Sequence, residues 1–450
     1  MDRLISSLLL LSILPGHGII FADGDDPAEN KETAPTGAYL NSGWQHLLRF
    51  KNFQATMISP KHFITATHLG NSSGTIIQPM HFNGVANRSF TIKPDSRIIL
   101  QANGQNSDLS VFEIWETFDN YAPLYTETDE AGQEFVLTGK GRGQGTALTR
   151  NGDTVGWEWG DPTTEFDRWG VSTVLSTTTS NGSDLIYSQF DASGGPHECQ
   201  ATGNDSGGGW FIKDGPAWKL AAVTFSADAS RDSNDTIGDN SQFRAAMTRA
   251  RGFYLGSDAN GWNLIPTNNN LYNNPSQFET NTNDLRFYDK THSFGTRISS
   301  FISDLDPIIQ PAITLAALSP EARLTAWLNA QGITTETGPH DDADSDGLSN
   351  LLEYYSDSDP GNFSQSTPPL TTTFLPSGIT QFTLTESLDL SARGLTGELQ
   401  QSSDLDTWSP VTTATETSSS VDDTTGIRTR ILQLPPSTDT EVFFRFRVTL

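Results

Sequence analysis

Hydrophobic residues along most of this chain come in short runs separated by turn clusters. QATMISP, HFITATH, RIILQA, LSVFEIW, EFVLTG, DLIYSQF, GWFIKD and KLAAVTF follow one another between Gly37 and about Ile309. Runs this short, bounded by Gly, Asn, Asp and Ser, predict strands, and their number predicts an all-β barrel or sandwich. Other stretches depart from that pattern. At the N-terminus Arg3 precedes a short apolar core, Leu4–Leu14, and then small residues. This predicts an export leader over residues 1–22, cut after Ala22, with residues 23–36 as a polar linker. The Asn-rich stretch 260–284 reads as a surface insertion. Gly295–Ile309 has apolar positions at Ile298, Phe301, Ile302 and Leu305, a helical spacing.

A second unit begins near Ser319, which can cap a helix that starts at Pro320 and buries Leu324, Trp327 and Leu328 before stopping at Gly332. An acidic loop, Asp341–Glu353, and the short helix LSNLLEYY complete a helix–loop–helix segment over residues 319–356. Residues 357–373 are rich in Pro, Ser and Thr and read as a linker. Residues 374–450 carry further strand patterns and predict a small β-domain.

Composition narrows the class. The chain has 450 residues, 54 acidic against 27 basic, and a formal charge of −27. That charge excludes nucleic acid as a partner, because phosphates would be repelled. No apolar run of membrane-spanning length follows the leader. Cys199 is the only cysteine, so no intrachain disulfide forms; a chain this long can bury enough core without one. Cys199 reads as a small buried filler and Trp44 as a core residue. An exported protein without disulfides suits a bacterial, extracellular or periplasmic setting.

Candidate chemistry lies in three segments, in the order His, Asp, Ser. His68 ends the strand ISPKHFITATH, Asp108 opens NSDLSVFEI, and Ser206 sits in the glycine-rich turn GNDSGGGWF. A serine hydroxyl is a weak nucleophile until a base takes its proton. Histidine suits that task, and a carboxylate fixes its tautomer and steadies the imidazolium. Glycines let backbone amides point at a developing oxyanion. Each segment alone is ordinary turn chemistry; the three in one order, each beside an apolar strand, are specific.

These segments resemble the chymotrypsin family: TATH is similar to its TAAH, NSDLSVFEI to its D-[IL]-A-L-L segment, and GNDSGGGWF to GDSGGP. KLAAVTFSA is similar to the strand beside its substrate, and GTRISSFISDLDPII to its C-terminal helix. The resemblance covers roughly residues 37–310. It implies two six-stranded antiparallel β-barrels, with His68 as base, Asp108 as orienting carboxylate, Ser206 as nucleophile, and an oxyanion hole made by the amides of Asn204 and Ser206. It places Gln200, Phe225 and Ser226 at the substrate pocket, where no carboxylate stands for a cationic P1 residue. Asn204 and Gly209 depart from the family's glycine and proline. No IVGG-like start is visible, so the sequence does not support activation by a freed amine beside Asp205. The activity implied is serine endopeptidase on protein or peptide substrates, with no catalytic cofactor. The alternatives are an inactive protease-like adhesin or an esterase on the same fold.

The acidic loop DADSDGLSNLLE fits the twelve-residue calcium pattern D-x-[DN]-x-[DN]-G-x5-E. Asp342, Asp344 and Asp346 stand at positions 1, 3 and 5. Leu348 offers its carbonyl, Asn350 stands at position 9 and Glu353 at position 12. The segment resembles single calcium-loop modules of the thrombospondin type 3 or dockerin kind. One structural Ca²⁺ is expected there, and the C-terminal β-domain, expected to be sandwich-like, is a candidate for cell-surface or polymer contact.

Overall fold

The computed structural model describes residues 19–22, 29–102, 104–150, 153–161, 166–180, 182–227, 230–232, 242–248, 254–257, 261–264, 290–365, 368–436 and 442–450. Strands dominate it, as the short apolar runs predict. Six antiparallel strands close into a barrel in the order Arg168–Ser180, Ser183–Gln189, His292–Arg297, Ala217–Ala227, Gly209–Asp214 and Glu134–Gly139. Alternate side chains fill its interior, with Phe135 stacked on Trp210 at a centroid distance of 4.3 Å. The Trp210 ring lies against Gly295, where an added Cβ would meet Ala222 and then Trp210 at 2.8 and 3.1 Å.

Two closed six-stranded barrels were expected; among the described residues one closes. The region before it is a seven-stranded antiparallel sheet in the order Arg88–Ile92, Gly74–Gln78, Leu47–Phe50, Phe53–Met57, His62–Ala66, Gln105–Glu113 and Ile98–Ala102. The extra edge strand, Ile98–Ala102, pairs outside Gln105–Glu113, so ring closure does not use every strand. A bridge between Ile92 and Ile114 still brings the first strand back to the end of the sixth. The enclosed core is aromatic: Phe63 stacks on Phe112 at 5.1 Å and Phe50 packs against both. Trp44 is buried here, its indole N–H donating to the His81 carbonyl at 2.8 Å.

The helix expected over 295–309 begins later, at Ile302, and runs to Ala316, because Gly295–Arg297 stays in the barrel ladder. Leu305 keeps the predicted inward face, and Ile309, one turn further on, is buried beside it. The next helix, Pro320–Ala330, starts as the sequence indicates, with the Ser319 hydroxyl accepting from the Ala322 amide. A short helix, Asn350–Ser356, follows the acidic loop. Residues 370–449 form a four-stranded and a three-stranded sheet, in contact through Phe382 and Phe444. This unit packs on the seven-stranded sheet. The Trp115 indole donates to the Asp423 carbonyl at 2.6 Å, Thr117 to Asp389 at 2.8 Å, and Lys61 pairs with Asp389 at 2.6 Å.

The expected leader boundary does not coincide with the fold. Ile19, Ile20 and Phe21 are fully buried, and Ile20–Phe21 pairs antiparallel with Cys199–Gln200. Burying an Ile or Phe side chain is worth roughly 1.5–3 kcal/mol, so these three weigh on the order of 5 kcal/mol or more. The expected linker is also partly docked: Glu29 pairs with His197 at 2.9 Å, and the Trp169 indole donates to the Thr33 carbonyl. Most of the Asn-rich stretch 260–284 lies outside the described residues. Among the described residues no helix is long and apolar enough to cross a membrane.

Candidate active site and acidic loop

His68 lies in a one-turn 3-10 helix, Thr67–Leu69, directly after the strand His62–Ala66. Asp108 sits within the neighbouring strand Gln105–Glu113, which pairs with His62–Ala66. That pairing fixes the two residues side by side. The His68 Nδ1 lies 2.8 Å from Asp108 Oδ2 and 3.0 Å from Oδ1, and the His68 backbone amide donates to Oδ1 at 2.8 Å. On its other side, His68 Nε2 is 2.8 Å from the Ser206 Oγ. Asp108 is nearly buried while the His68 ring is 43% exposed, so the ring faces outward from a carboxylate held in the interior.

Ser206 arrives from the closed barrel, on the turn before Gly209–Asp214. The turn's glycines are demanded by close approach. A Cβ at Gly207, whose φ is +82°, would meet the Gln54 carbonyl at 2.1 Å; one at Gly208 would meet the Thr138 carbonyl at 1.9 Å. Asn204 adopts φ +78°, a left-handed conformation that Asn tolerates better than most residues. It therefore makes the turn that a glycine would make. Asp205 is fully buried and points inward, accepting hydrogen bonds from the Gly141 amide and from the Thr202 amide and hydroxyl. The Gly207 amide donates to the Thr224 carbonyl at 3.2 Å, which ties the turn to the strand Ala217–Ala227.

Three supporting residues carry no motif signal. The Arg97 guanidinium donates to the Thr67 carbonyl at 2.6 Å and to Ser110 Oγ at 3.1 Å, and Ser110 in turn bonds Thr67 Oγ1. Arg97 thus fixes the turn that carries His68. The Asp108 amide donates to Ser183 Oγ at 2.9 Å, a link from the seven-stranded sheet to the barrel. Long-range contacts of this kind leave no local spacing to recognise.

The expected pocket residues separate. Phe225 is half-buried and Ser226 exposed at the end of their strand, where Ser226 pairs with Phe294. Gln200 is fully buried, paired with Ile20, and its Oε1 accepts from the Thr291 hydroxyl. It lies on the face of that strand pair that Ile20 shares, away from the barrel interior that Phe21 and Cys199 enter. Cys199 is buried beside Gly170, and burial pushes its thiol well up, so it is inert filler.

The acidic loop gathers Asp342, Asp344 and Asp346 with ligand oxygens within 4.8 Å of one another. Gly347 takes φ +95° at the sharp turn, and its amide donates to Asp342 Oδ2. Leu348 donates its amide to Asp346 Oδ1. The Asn350 amide nitrogen donates to the carbonyls of Glu336 and Gly338, leaving its Oδ1 buried without a partner. Glu353 is fully buried, and both of its carboxylate oxygens also lack a hydrogen-bond partner. Burial, then repulsion from Asp344, Asp346 and Asp342, pushes its carboxyl up to about 7. A buried, unpaired carboxylate is costly, and one beside further unpartnered oxygens of Asp344, Asp346 and Asn350 is the donor set of a hard cation. The residues fit Ca²⁺.

No family model matches the chain. No curated protein matches it either. Among solved structures, neuropsin, a serine protease expressed in the limbic system of mouse brain, aligns with 59% of this chain and 94% of its own at 10% identity, with a TM-score of 0.33.

Proposed function

We propose that this chain is an exported serine endopeptidase. The observation that carries the reading is the unbroken relay from Asp108 through His68 to Ser206, with 2.8 Å at each junction. In it, His68 Nε2 takes the Ser206 proton as Oγ attacks the substrate carbonyl carbon. The proton then passes to the leaving amine as the acyl-enzyme forms. Water, deprotonated by the same nitrogen, releases the acid and restores Ser206. Asp108 holds the ring throughout and steadies the imidazolium. The amides of Asn204 and Ser206 are the oxyanion donors, and one such donor is typically worth about 2.7–4 kcal/mol of barrier. Asp205 is engaged inward and, among the described residues, supplies no carboxylate to the P1 site, so neutral P1 residues are the substrate class.

The test is labelling by a fluorophosphonate probe together with hydrolysis of a mixed peptide library. Labelling of wild type that vanishes in Ser206→Ala, with cleavage after neutral residues, supports the reading. A folded protein that neither labels nor cleaves would place it with the inactive adhesins, and rapid selective cleavage after Arg would overturn the P1 assignment.

Ca²⁺ in the acidic loop is the second part of the proposal. Asp342, Asp344, Asp346, the Leu348 carbonyl, Asn350 and Glu353 would hold it. Bound, it supplies the positive charge that lets Glu353 and the three aspartates coexist. Its role is structural, because the loop packs with the C-terminal unit and not with the triad.

A further inference from the structure

Lys51 stands in the two-residue turn that joins Leu47–Phe50 to Phe53–Met57, where Phe50 pairs with Phe53. Its φ is +55°, in the left-handed region. A tight hairpin needs such a residue, and Gly or Asn is its usual occupant. This chain places an exposed lysine there instead. The ammonium reaches the turn that carries His68 and donates to the Leu69 carbonyl at 2.7 Å. A Cβ at Gly70 would lie 3.7 Å from Nζ, so the charge sits against the chain that leaves His68.

That charge has no counter-ion within the fold. Lys61, Lys93, Lys219 and Lys290 each pair with a carboxylate. Among the described residues no carboxylate pairs with Lys51. One carbonyl uses one of its three N–H donors. In a chain with 54 acidic residues against 27 basic ones, an exposed ammonium beside the base and without a counter-ion is a charge left for a ligand.

The chemistry of the relay says which part of a substrate meets it. His68 Nε2 gives its proton to the leaving amine, so the residues after the cut bond pass the His68 turn. The strand His62–Ala66 pairs with Phe53–Met57 on one edge and with Gln105–Glu113 on the other. Asp108 thus flanks His68 on one side and the Lys51 hairpin flanks it on the opposite side. The same hairpin borders Ser206, because the Gln54 carbonyl lies 2.1 Å from where a Cβ on Gly207 would fall.

We propose that Lys51 is a specificity-determining residue, which favours Asp or Glu among the first two residues after the cut bond. The inference rests on the peptidase reading and names the leaving half of its substrate.

The test uses internally quenched peptides built on the best-cleaved sequence of a mixed library, in pairs that carry Glu or Gln at one of those two positions. For each protein the ratio of kcat/KM for Glu over Gln is read, so a general loss of activity cancels. The wild-type ratio should exceed that of Lys51→Gln by about fivefold, the upper end of what an exposed ion pair gives. Lys51→Gly, which suits the left-handed turn, should match Lys51→Gln, and Lys51→Arg should keep the wild-type ratio. Lys51→Glu should turn the preference towards Lys and Arg. Equal ratios in wild type, Lys51→Gln and Lys51→Gly would overturn the proposal and leave the peptidase reading standing. A folded wild type that cleaves no peptide, with or without fluorophosphonate labelling at Ser206, overturns the peptidase reading and this inference with it.

Discussion

Asp108 receives both the ring and the backbone of His68: Nδ1 at 2.8 Å and the amide N–H at 2.8 Å. One carboxylate thus sets the tautomer of the imidazole and the position of the chain that carries it. The ring bond leaves Nε2 facing Ser206 as an acceptor.

Asp108→Asn tests this directly. The amide can present its N–H to Nδ1, which turns the proton-bearing nitrogen toward Ser206. The expected result is a fall in kcat of about 10⁴-fold with little change in melting temperature. A fall below tenfold, measured on a peptide substrate found by library screening, would show that Asp108 does not orient the base.

Calcium removal should act on stability. Binding to the folded state alone stabilises by RT ln(1 + [L]/Kd), about 2.7 kcal/mol at a hundredfold excess over Kd. EDTA is expected to lower the melting temperature of the C-terminal half and to increase proteolysis around residues 335–370, while hydrolysis persists at first. Asp342→Ala should melt at the EDTA temperature whether or not calcium is present. Immediate loss of turnover on chelation, with folded structure intact, would place a metal at the chemistry.

Glu198 gives the barrel a pH dependence with a definite sign. Burial raises its carboxyl from 4.5 to about 8, although the Asp191 backbone amide and the Ser172 hydroxyl donate hydrogen bonds to it. Below about pH 4.5 it is protonated in both folded and unfolded chains. Between 4.5 and 8 the folded protein binds more protons, so stability falls as pH rises, by about 1.4 kcal/mol per pH unit at most. Glu198→Gln should remove most of that slope from thermal melts between pH 5 and 8. An unchanged slope would mean that Glu198 ionises freely in the fold.

Lys61 couples the C-terminal unit to the seven-stranded sheet. Its ammonium donates to the carbonyls of Trp115 and Glu116 and pairs with Asp389, while burial pulls its pKa down. Asp389→Ala leaves a partly desolvated ammonium without this partner, a loss below the roughly 3–5 kcal/mol of a fully buried pair, because the two side chains stay 18% and 21% exposed. Small-angle scattering should show a larger radius of gyration and limited proteolysis should become faster between residues 310 and 370. Probe labelling at Ser206 is expected to persist, since the strand His62–Ala66 separates Lys61 from His68. A variant as compact as wild type would show that other contacts hold the unit.

The sequence by itself determined what local pattern can encode. Alternating apolar runs produced the strands, Ser319–Pro320 capped its helix, and the acidic spacing at 342, 344, 346 and 353 built the loop. His68 and Ser206 were legible because each sits in a short turn beside an apolar strand, and Asp108 because it opens the apolar half of its own strand. Tertiary structure decided what depends on pairing between distant segments. Among the described residues it set one closed barrel beside a seven-stranded sheet, since closure depends on which edges meet, and it kept Gly295–Arg297 in the ladder against the helical spacing of its apolar positions. It paired Gln200 with Ile20, a contact across 180 residues that no spacing announces. It also drew Arg97 and Ser183 to the triad through backbone carbonyl, amide and hydroxyl partners, which carry no residue signature. Ile19–Phe21 shows the limit most plainly: its apolar side chains read as the end of a leader until the barrel supplies the strand and core that bury them.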